Sequence, residues 1–166
     1  MRRLLWIAML SMAMAGWLSS PAACCASTRC PWLNAATAGG VLGGEVQVDL
    51  TPPTVQGDLT CEFSRGQGSS AYKLHIAVHT MQDPSKEFKR YLSRCDGQRV
   101  PLKAIGNEAV QCVLKNSSTV SEEQVIGRVR ERVFILTLMR YASASPNAGL
   151  SEDARNLAEQ VAGNLF

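Results

Sequence analysis

Apolar and polar residues alternate along several segments of this chain, and the period of each alternation predicts its secondary structure. Period-two alternation, which is typical of a strand, occurs in three segments of the first half of the chain. These predicted strands cover residues 45–50, 59–64 and 72–80. Pro52 and Pro53 separate the first two segments, and Gly66 and Gly68 separate the next two. The pattern therefore predicts three strands separated by turns.

A short helix is predicted before these strands. Asn34 is a good N-cap residue, and Gly43 with Gly44 supplies the left-handed conformation that ends many helices. Gly39 and Gly40 weaken the segment, because glycine is a poor helix former. We therefore expect the helix to depend on the packing of Leu42 and of Trp32 and Leu33, which come just before it.

Two further helices are predicted from apolar residues at helical spacing. The first follows Asp83 and Pro84, an N-cap residue with proline at the first helical position. Its apolar stripe consists of Phe88, Tyr91, Leu92 and Cys95. Its other face, which we expect to be exposed to solvent rather than bound to a partner, carries Lys86, Lys89, Arg90 and Arg94. The last helix covers residues 151–165 and has acidic residues in its first turn.

The second half of the chain also predicts a strand and a hairpin. The strand covers residues 110–114, and the hairpin strands cover residues 124–129 and 133–141. Residues 133–139 are nearly continuously apolar, as expected for a central strand that is covered on both faces. Antiparallel strands with a few helices predict a single α+β domain with a mainly antiparallel sheet and flanking helices.

The first 26 residues differ from all of these segments. Arg2 and Arg3 precede an uncharged run of 15 residues, and small residues follow it as far as Ala26. This order is typical of a cleaved export signal. A helix of that length spans about 22 Å, which is less than the ~30 Å hydrocarbon core of a bilayer. We therefore expect residues 1–26 to be a cleaved signal peptide and residues 27–166 to form one domain that is periplasmic or secreted.

The cleavage position decides between a free and an anchored protein. Cleavage after Ala23 would leave Cys24 at the N-terminus, where a bacterial lipoprotein carries its lipid. Pro21 lies three positions earlier, where a lipoprotein signal normally has a leucine-like residue. We therefore favour a free protein, and a membrane-anchored lipoprotein modified on Cys24 is the alternative.

The charge of the chain changes when the predicted signal is removed. The whole chain has 17 basic and 14 acidic residues, and Arg2 and Arg3 are the charged residues of the signal. The mature chain therefore has 15 basic residues against 14 acidic ones. A net charge near zero gives no electrostatic footprint for nucleic acid. We expect no nucleic-acid partner and no transmembrane span in the mature chain.

Four cysteines fall within the predicted domain, and export makes them candidates for disulfides. Cys61, Cys95 and Cys112 occupy apolar positions of their predicted elements, and Cys30 precedes the first helix. Four cysteines allow three pairings, which the sequence does not separate. We favour Cys30 with Cys61 and Cys95 with Cys112, because each pair joins neighbouring elements. Buried free thiols are the alternative.

Few other residues offer chemistry. His75 and His79 alternate with apolar neighbours at strand spacing, which places them about 13 Å apart and prevents them from sharing a metal ion. The sequence contains no nucleophile elbow, zinc-protease motif or phosphate-binding glycine loop. A Cys–His enzyme that uses His75 with Cys95 or Cys112 is the enzymatic alternative. We expect no catalytic residues, no metal and no cofactor.

Four short motifs follow one another along the mature chain. They are Cys30-x-x-Leu33, Leu42-Gly43, Cys61-x-Phe63 and the sequence Ile-Gly-Asn-Glu-Ala at residues 105–109. This order resembles a broad group of small bacterial exported or lipoprotein domains of unknown function, in which Asp is usual at the position of Asn107. The resemblance implies an α+β envelope domain with a disulfide between the first helix and the sheet. It implies no catalytic residues.

We therefore expect a non-enzymatic binding or interaction domain of the cell envelope, whose partner is an unknown protein or small ligand. One candidate surface is a sheet face that carries Lys73, His75 and His79. The other is a strip formed by Arg128, Arg130 and Arg132. The alternatives are a lipid-anchored protein with a mainly positional role and an enzyme of unrecognised type.

Overall fold

A computed structural model of the chain describes residues 29–55, 57–68, 71–114, 119–141 and 149–166. The predicted signal and Cys24 lie outside the described residues. The described part contains three helices and seven strands. In chain order they are α1 (Ala35–Leu42), β1 (Gln47–Thr51), β2 (Leu59–Arg65), β3 (Tyr72–Thr80), α2 (Pro84–Ser93), β4 (Gln98–Leu102), β5 (Glu108–Val113), β6 (Val120–Val129), β7 (Arg132–Tyr141) and α3 (Leu150–Leu165).

The strands form one antiparallel sheet with the order β1-β2-β3-β7-β6-β5-β4. Each half of the chain folds as a meander, and the two meanders meet where β3 pairs with β7. Ile76 lies opposite Leu136 at this junction. The apolar run at residues 133–139 therefore lies in a central strand, as predicted. The prediction of a single α+β domain with a mainly antiparallel sheet is confirmed.

One face of the sheet, which we name the core face, packs against α1 and α3. Alternate side chains of the central strands, such as Leu74 and Leu136, point into this core and are completely buried. Leu157 and Val161 of α3 meet them from the other side. Since burial of apolar area is the main favourable contribution to folding, this layer accounts for most of the stability. Its apolar members include Cys61, Phe63, Ile76 and Val125.

The opposite face, which we name the outer face, packs against α2. Phe88 of α2 is buried against Ile126 and Val133 of the sheet. A helix of ten residues spans about 15 Å, whereas seven strands at ~4.8 Å spacing are about twice as wide. The helix α2 therefore covers only part of the outer face. None of the helices in the described ranges is long and apolar enough to cross a bilayer.

The helix caps follow the predictions, with one exception. The Asn34 side chain accepts a hydrogen bond from the Thr37 backbone N–H at 2.8 Å, and Gly43 ends α1 with a φ of 83°. Asp83 caps α2 by accepting a hydrogen bond from the Lys86 N–H. The exception is α3, which begins at Leu150 after Gly149, one residue before the predicted start.

Two strands differ from the sequence prediction. The strand β4 was not predicted, because it is short and Pro101, which normally argues against a strand, lies within it. Proline has no backbone N–H to donate, and the edge position of β4 tolerates this loss. The strand β6 begins at Val120 rather than at Gln124. Its early part includes Glu122 and Glu123, and these charged residues hide the strand alternation.

Both favoured cysteine pairings are confirmed. Cys30 is bonded to Cys61, with a Cα–Cα distance of 5.8 Å, and Cys95 is bonded to Cys112, with a Cα–Cα distance of 5.9 Å. The first bridge links the segment before α1 to the core face. The second links the residues after α2 to β5 on the outer face. Each disulfide therefore holds one helical segment against one face of the sheet.

Candidate functional site

The outer face has an area that α2 leaves uncovered, and polar side chains of neighbouring strands meet there. Glu62 lies opposite His75, His75 lies opposite Thr137, and Thr137 lies opposite Gln124. This row crosses β2, β3, β7 and β6 in register, because successive strands are antiparallel and alternate side chains share a face. We name the surface formed by this row with its neighbours Lys73 and Met139 the open area. It contains two of the three residues of the predicted sheet-face site.

Lys73 and Glu62 form the ion pair of the open area. The Lys73 Nζ lies 2.9 Å from Glu62 Oε1, and both side chains are more than one third exposed. The hydrogen bond that Lys73 donates to Glu62 and the negative charge of that carboxylate raise the pKa of Lys73. Since exposed ion pairs contribute little to stability, this pair serves mainly to fix two charges in position.

His75 is the half-buried centre of the open area. Burial lowers the pKa of His75, while the nearby Glu62 carboxylate opposes this shift. The imidazole is therefore neutral at pH 7 and offers one hydrogen-bond donor and one acceptor. Beside it, Thr137 is only 5% exposed and accepts a hydrogen bond from Gln124 Nε2 at 3.2 Å. The centre of the open area thus consists of neutral donors and acceptors, and the charged residues Lys73, Glu62 and Glu122 lie around it.

His79, the third residue of the predicted sheet-face site, lies at the border with α2. Its Nδ1 lies 3.1 Å from Asp58 Oδ2, and its ring stacks on Tyr91 of α2 with 5.7 Å between the ring centres. Asp58 also accepts a hydrogen bond from the Thr80 N–H. His79 therefore helps to hold α2 and the start of β2 against β3, and it lies apart from the open area.

The three arginines of the second predicted surface do not form one strip, although Arg128 Nη1 donates to the Arg130 carbonyl at 3.5 Å. Arg128 lies on the outer face, with its Nε 2.6 Å from Glu108 Oε1. Arg130 lies in the β6–β7 turn with a φ of 53°, and its guanidinium stacks over Phe166. Arg132 is exposed at the start of β7, at a position whose alternation belongs to the core face. The three side chains thus have three different environments.

A buried polar cluster was not predicted from the sequence. Gln111 of β5 and Glu123 of β6 are both at least 95% buried on the core face. Gln111 Nε2 donates to Ser151 Oγ at 2.7 Å and to Glu123 Oε2 at 3.3 Å. Burial raises the pKa of Glu123. A groove of about 630 Å³ beside Gln111 separates α3 from the β4–β5 edge.

The alternation of apolar and polar residues in β5 and β6 could have predicted this cluster. Glu123 shares its strand parity with Val125 and Val129, and Gln111 shares its parity with Ala109. Each is a polar residue at a position that otherwise faces the core. The contact with Ser151 fixes the first turn of α3 on the sheet, which explains the cluster as a structural element.

The described residues also limit the chemistry that the site can perform. The Cys–His alternative requires a thiolate from Cys95 or Cys112, and both sulfurs are in a disulfide. Within the part of the chain that the structure describes, no three His, Cys, Asp or Glu side chains form a group that could hold a metal ion.

Comparisons with models of protein families, with curated proteins and with solved structures give no match. The open area is therefore interpreted from its own geometry.

Proposed function

We propose that this chain is an exported, non-enzymatic binding domain of the bacterial cell envelope, and that it binds a protein partner through the open area. The sequence pattern of an export signal and the presence of two disulfides support an oxidising compartment. The free periplasmic or secreted form is the one we favour, with Cys24 as the lipid attachment site of the alternative form.

The observation that carries the proposal is the unequal cover of the sheet. The core face is covered by two helices, whereas α2 covers only the part of the outer face around Ile126 and Val133. The uncovered part carries half-buried, mainly neutral polar groups in register across four strands. At its centre, His75 is half-buried and Thr137 is almost fully buried, so little water has to be displaced there when a partner binds.

The shape of the open area favours a protein over a small molecule. Small-molecule sites are concave and bury most of their ligand, whereas the side chains of the open area stand in rows on the outer surface of a sheet. Interfaces between proteins have few charges at their centre and a polar rim. The open area has this arrangement, because His75, Thr137 and Gln124 form its neutral centre and the pair of Lys73 with Glu62 lies beside it.

Site-specific photocrosslinking in cells tests the proposal. A photoreactive phenylalanine analogue would replace Met139 in the open area or Gln160 on the exposed side of α3, in the full chain with its own signal. We expect a defined protein adduct from position 139 and none from position 160. Gln124→Arg, which places a bulky charge in the centre of the row, should abolish the adduct in a chain that still forms both disulfides.

Two outcomes would contradict the proposal. One is an adduct of the same size from position 160, which would show contact without preference for the open area. The other is an unchanged adduct from position 139 in the Gln124→Arg variant.

A further inference from the structure

Two arginines and a tyrosine lie side by side at the end of the core face. Arg65 of β2 is opposite Tyr72 of β3, and Tyr72 is opposite Arg140 of β7. The Arg65 guanidinium carbon lies 5.8 Å from the centre of the Tyr72 ring, and that of Arg140 lies 5.3 Å from it. We name these three residues the Arg–Tyr–Arg cluster. It lies on the face opposite the open area.

Neither arginine of the cluster has a carboxylate partner. All 14 aspartate and glutamate residues of the chain lie within the ranges that the structure describes, so the segments outside these ranges contribute no acidic side chain. The arginines that do form ion pairs in the described ranges are Arg90, Arg128 and Arg155. Two half-buried positive charges therefore lie near one ring without a compensating negative charge, although buried charges are normally paired.

The hydrogen bonds of the cluster leave donors free. A guanidinium has five N–H donors. Arg65 Nη1 donates to the Leu42 carbonyl at the end of α1, at 2.8 Å. Arg140 Nε is buried and has no hydrogen-bond partner among the described residues. An unsatisfied buried donor is costly in free energy, so a small rotation of the Arg140 side chain that brings this donor to an acceptor is favourable.

The arrangement of the guanidiniums also selects the kind of acceptor. The Tyr72 ring lies beside both guanidiniums, and each guanidinium carries its N–H donors along its edges. Guanidinium edges bind carboxylate and phosphate oxygens through paired hydrogen bonds. We propose that the Arg–Tyr–Arg cluster is a binding site for an oxyanion group, a phosphate or a carboxylate, carried by a small ligand.

Nuclear magnetic resonance of the oxidised mature domain tests this site directly. The Arg Nε–Hε signals are followed while sodium phosphate, sodium acetate or sodium chloride is added at equal ionic strength. We expect phosphate or acetate to shift the Arg140 and Arg65 signals in a saturable manner, and chloride to leave them in place. Of the phosphate and acetate titrations, the one that saturates at the lower concentration identifies the preferred oxyanion group.

Matched variants separate the site from general attraction of anions. Arg140→Gln removes the charge and should weaken oxyanion binding at least tenfold. Arg140→Lys keeps the charge but loses the paired hydrogen bonds, so its binding should fall between that of Gln and wild type. Arg132→Gln is the control, because Arg132 is an exposed arginine outside the cluster. It should bind as the wild type does.

The proposal is overturned if phosphate and acetate shift the Arg140 signal no more than chloride does. It is also overturned if Arg140→Gln binds the oxyanion as tightly as Arg132→Gln does. Because Arg65 also caps α1, Arg140 rather than Arg65 is the residue to replace, and the dispersion of the amide signals reports whether each variant is folded. Neither outcome depends on the photocrosslinking of the open area.

Discussion

At the scale of single residues, Gly127 shows how closely the core face is packed. It lies in β6 opposite Phe134, and a Cβ atom at this position would overlap the Phe134 ring. Gly163 in α3 is the opposite case, because a Cβ atom there would have open space around it. Of these two positions, only Gly127 therefore requires glycine, because the Phe134 ring leaves no space for a Cβ atom.

We predict opposite effects when each of these glycines is replaced by alanine. Gly127→Ala should lower the free energy of unfolding by about 1–3 kcal/mol, because the added methyl group overfills the core. Gly163→Ala should raise it by about 0.5–1 kcal/mol, because alanine is the better helix former. Urea unfolding of the oxidised domain measures both. A stabilised Gly127→Ala variant would contradict the packing of Phe134.

Glu123 gives a prediction for the pH dependence of stability. Burial raises its pKa above the ordinary value of 4.5, so the folded state binds a proton more readily than the unfolded state does. The stabilising effect of that proton is lost as the pH rises through the raised pKa. At pH 7, Glu123→Gln should therefore be more stable than wild type by about 1 kcal/mol. At pH 4, where the carboxyl of the wild type is protonated in the folded state, this gain in stability should disappear.

Urea unfolding at the two pH values measures this difference, and Glu122→Gln on the outer face is the control. The control should change stability by less than about 0.5 kcal/mol at both pH values. A Glu123→Gln variant that is less stable than wild type at pH 7 would show that the ionised carboxylate is favourable in the core.

His75 gives a second prediction with the opposite sign. Burial lowers its pKa below 6.5, so its contribution to stability is present above pH 6.5 and is lost as the pH falls through its folded pKa. A proton resonance titration should place the His75 midpoint below 6.5. Glu62→Gln should lower that midpoint further, because the Glu62 carboxylate favours the imidazolium. A midpoint that rises in Glu62→Gln would contradict the contact.

At the scale of secondary-structure elements, each disulfide holds one helical segment on one face. The two bridges join residues 31 and 17 positions apart. The helix α2 depends strongly on its bridge, because Phe88 is its only buried residue. By contrast, α3 buries seven residues and needs no bridge.

Removal of the bridges should therefore have local consequences. Replacing Cys95 and Cys112 by alanine should cost about 3 kcal/mol and increase amide hydrogen exchange in α2, while exchange in α3 changes least. Replacing Cys30 and Cys61 should have a similar cost but increase exchange in α1. Hydrogen exchange with mass spectrometry measures both patterns. Equal increases in α1 and α2 for both variants would contradict this assignment.

The elements also show what the sequence could and could not predict. The strand β3 and the caps of α1 and α2 follow from local patterns such as alternation and capping. The sequence did not separate the three cysteine pairings, and the pairing that forms was favoured because each bridge joins neighbouring elements. The edge strand β4 has no such pattern, since its stability depends on pairing with β5. Because helices pack on both faces of the sheet, alternation predicts that Cys61 and Cys112 are buried, but not that they lie on opposite faces.

The same limit applies to the candidate site. The sequence predicts that Lys73 and His75 share a strand face, and the structure adds Glu62, Thr137 and Gln124 from three other strands. Those neighbours are separated from His75 by up to about 60 positions, so only the order of the strands brings them together. The arginines of the predicted strip are near one another in the sequence, but the β6–β7 turn places them in different environments.

At the scale of the whole molecule, the unequal cover of the two sheet faces is the main feature. The core face is covered by α1 and α3 and is linked to the segment before α1 by one disulfide. The outer face has one helix, held by the other disulfide, and an open area beside that helix. The open area therefore keeps its border only if both disulfides persist in the compartment where the domain acts.

The mass of the intact exported protein, measured after alkylation with and without a reductant, tests this claim most directly. The account predicts a chain that begins near Ser27, takes up no alkylating reagent before reduction and takes it up at four cysteines afterwards. A full-length chain in the cytosol, or alkylation of four cysteines without a reductant, would contradict it. A diacylglycerol mass on Cys24 would instead identify the anchored lipoprotein and contradict the free form.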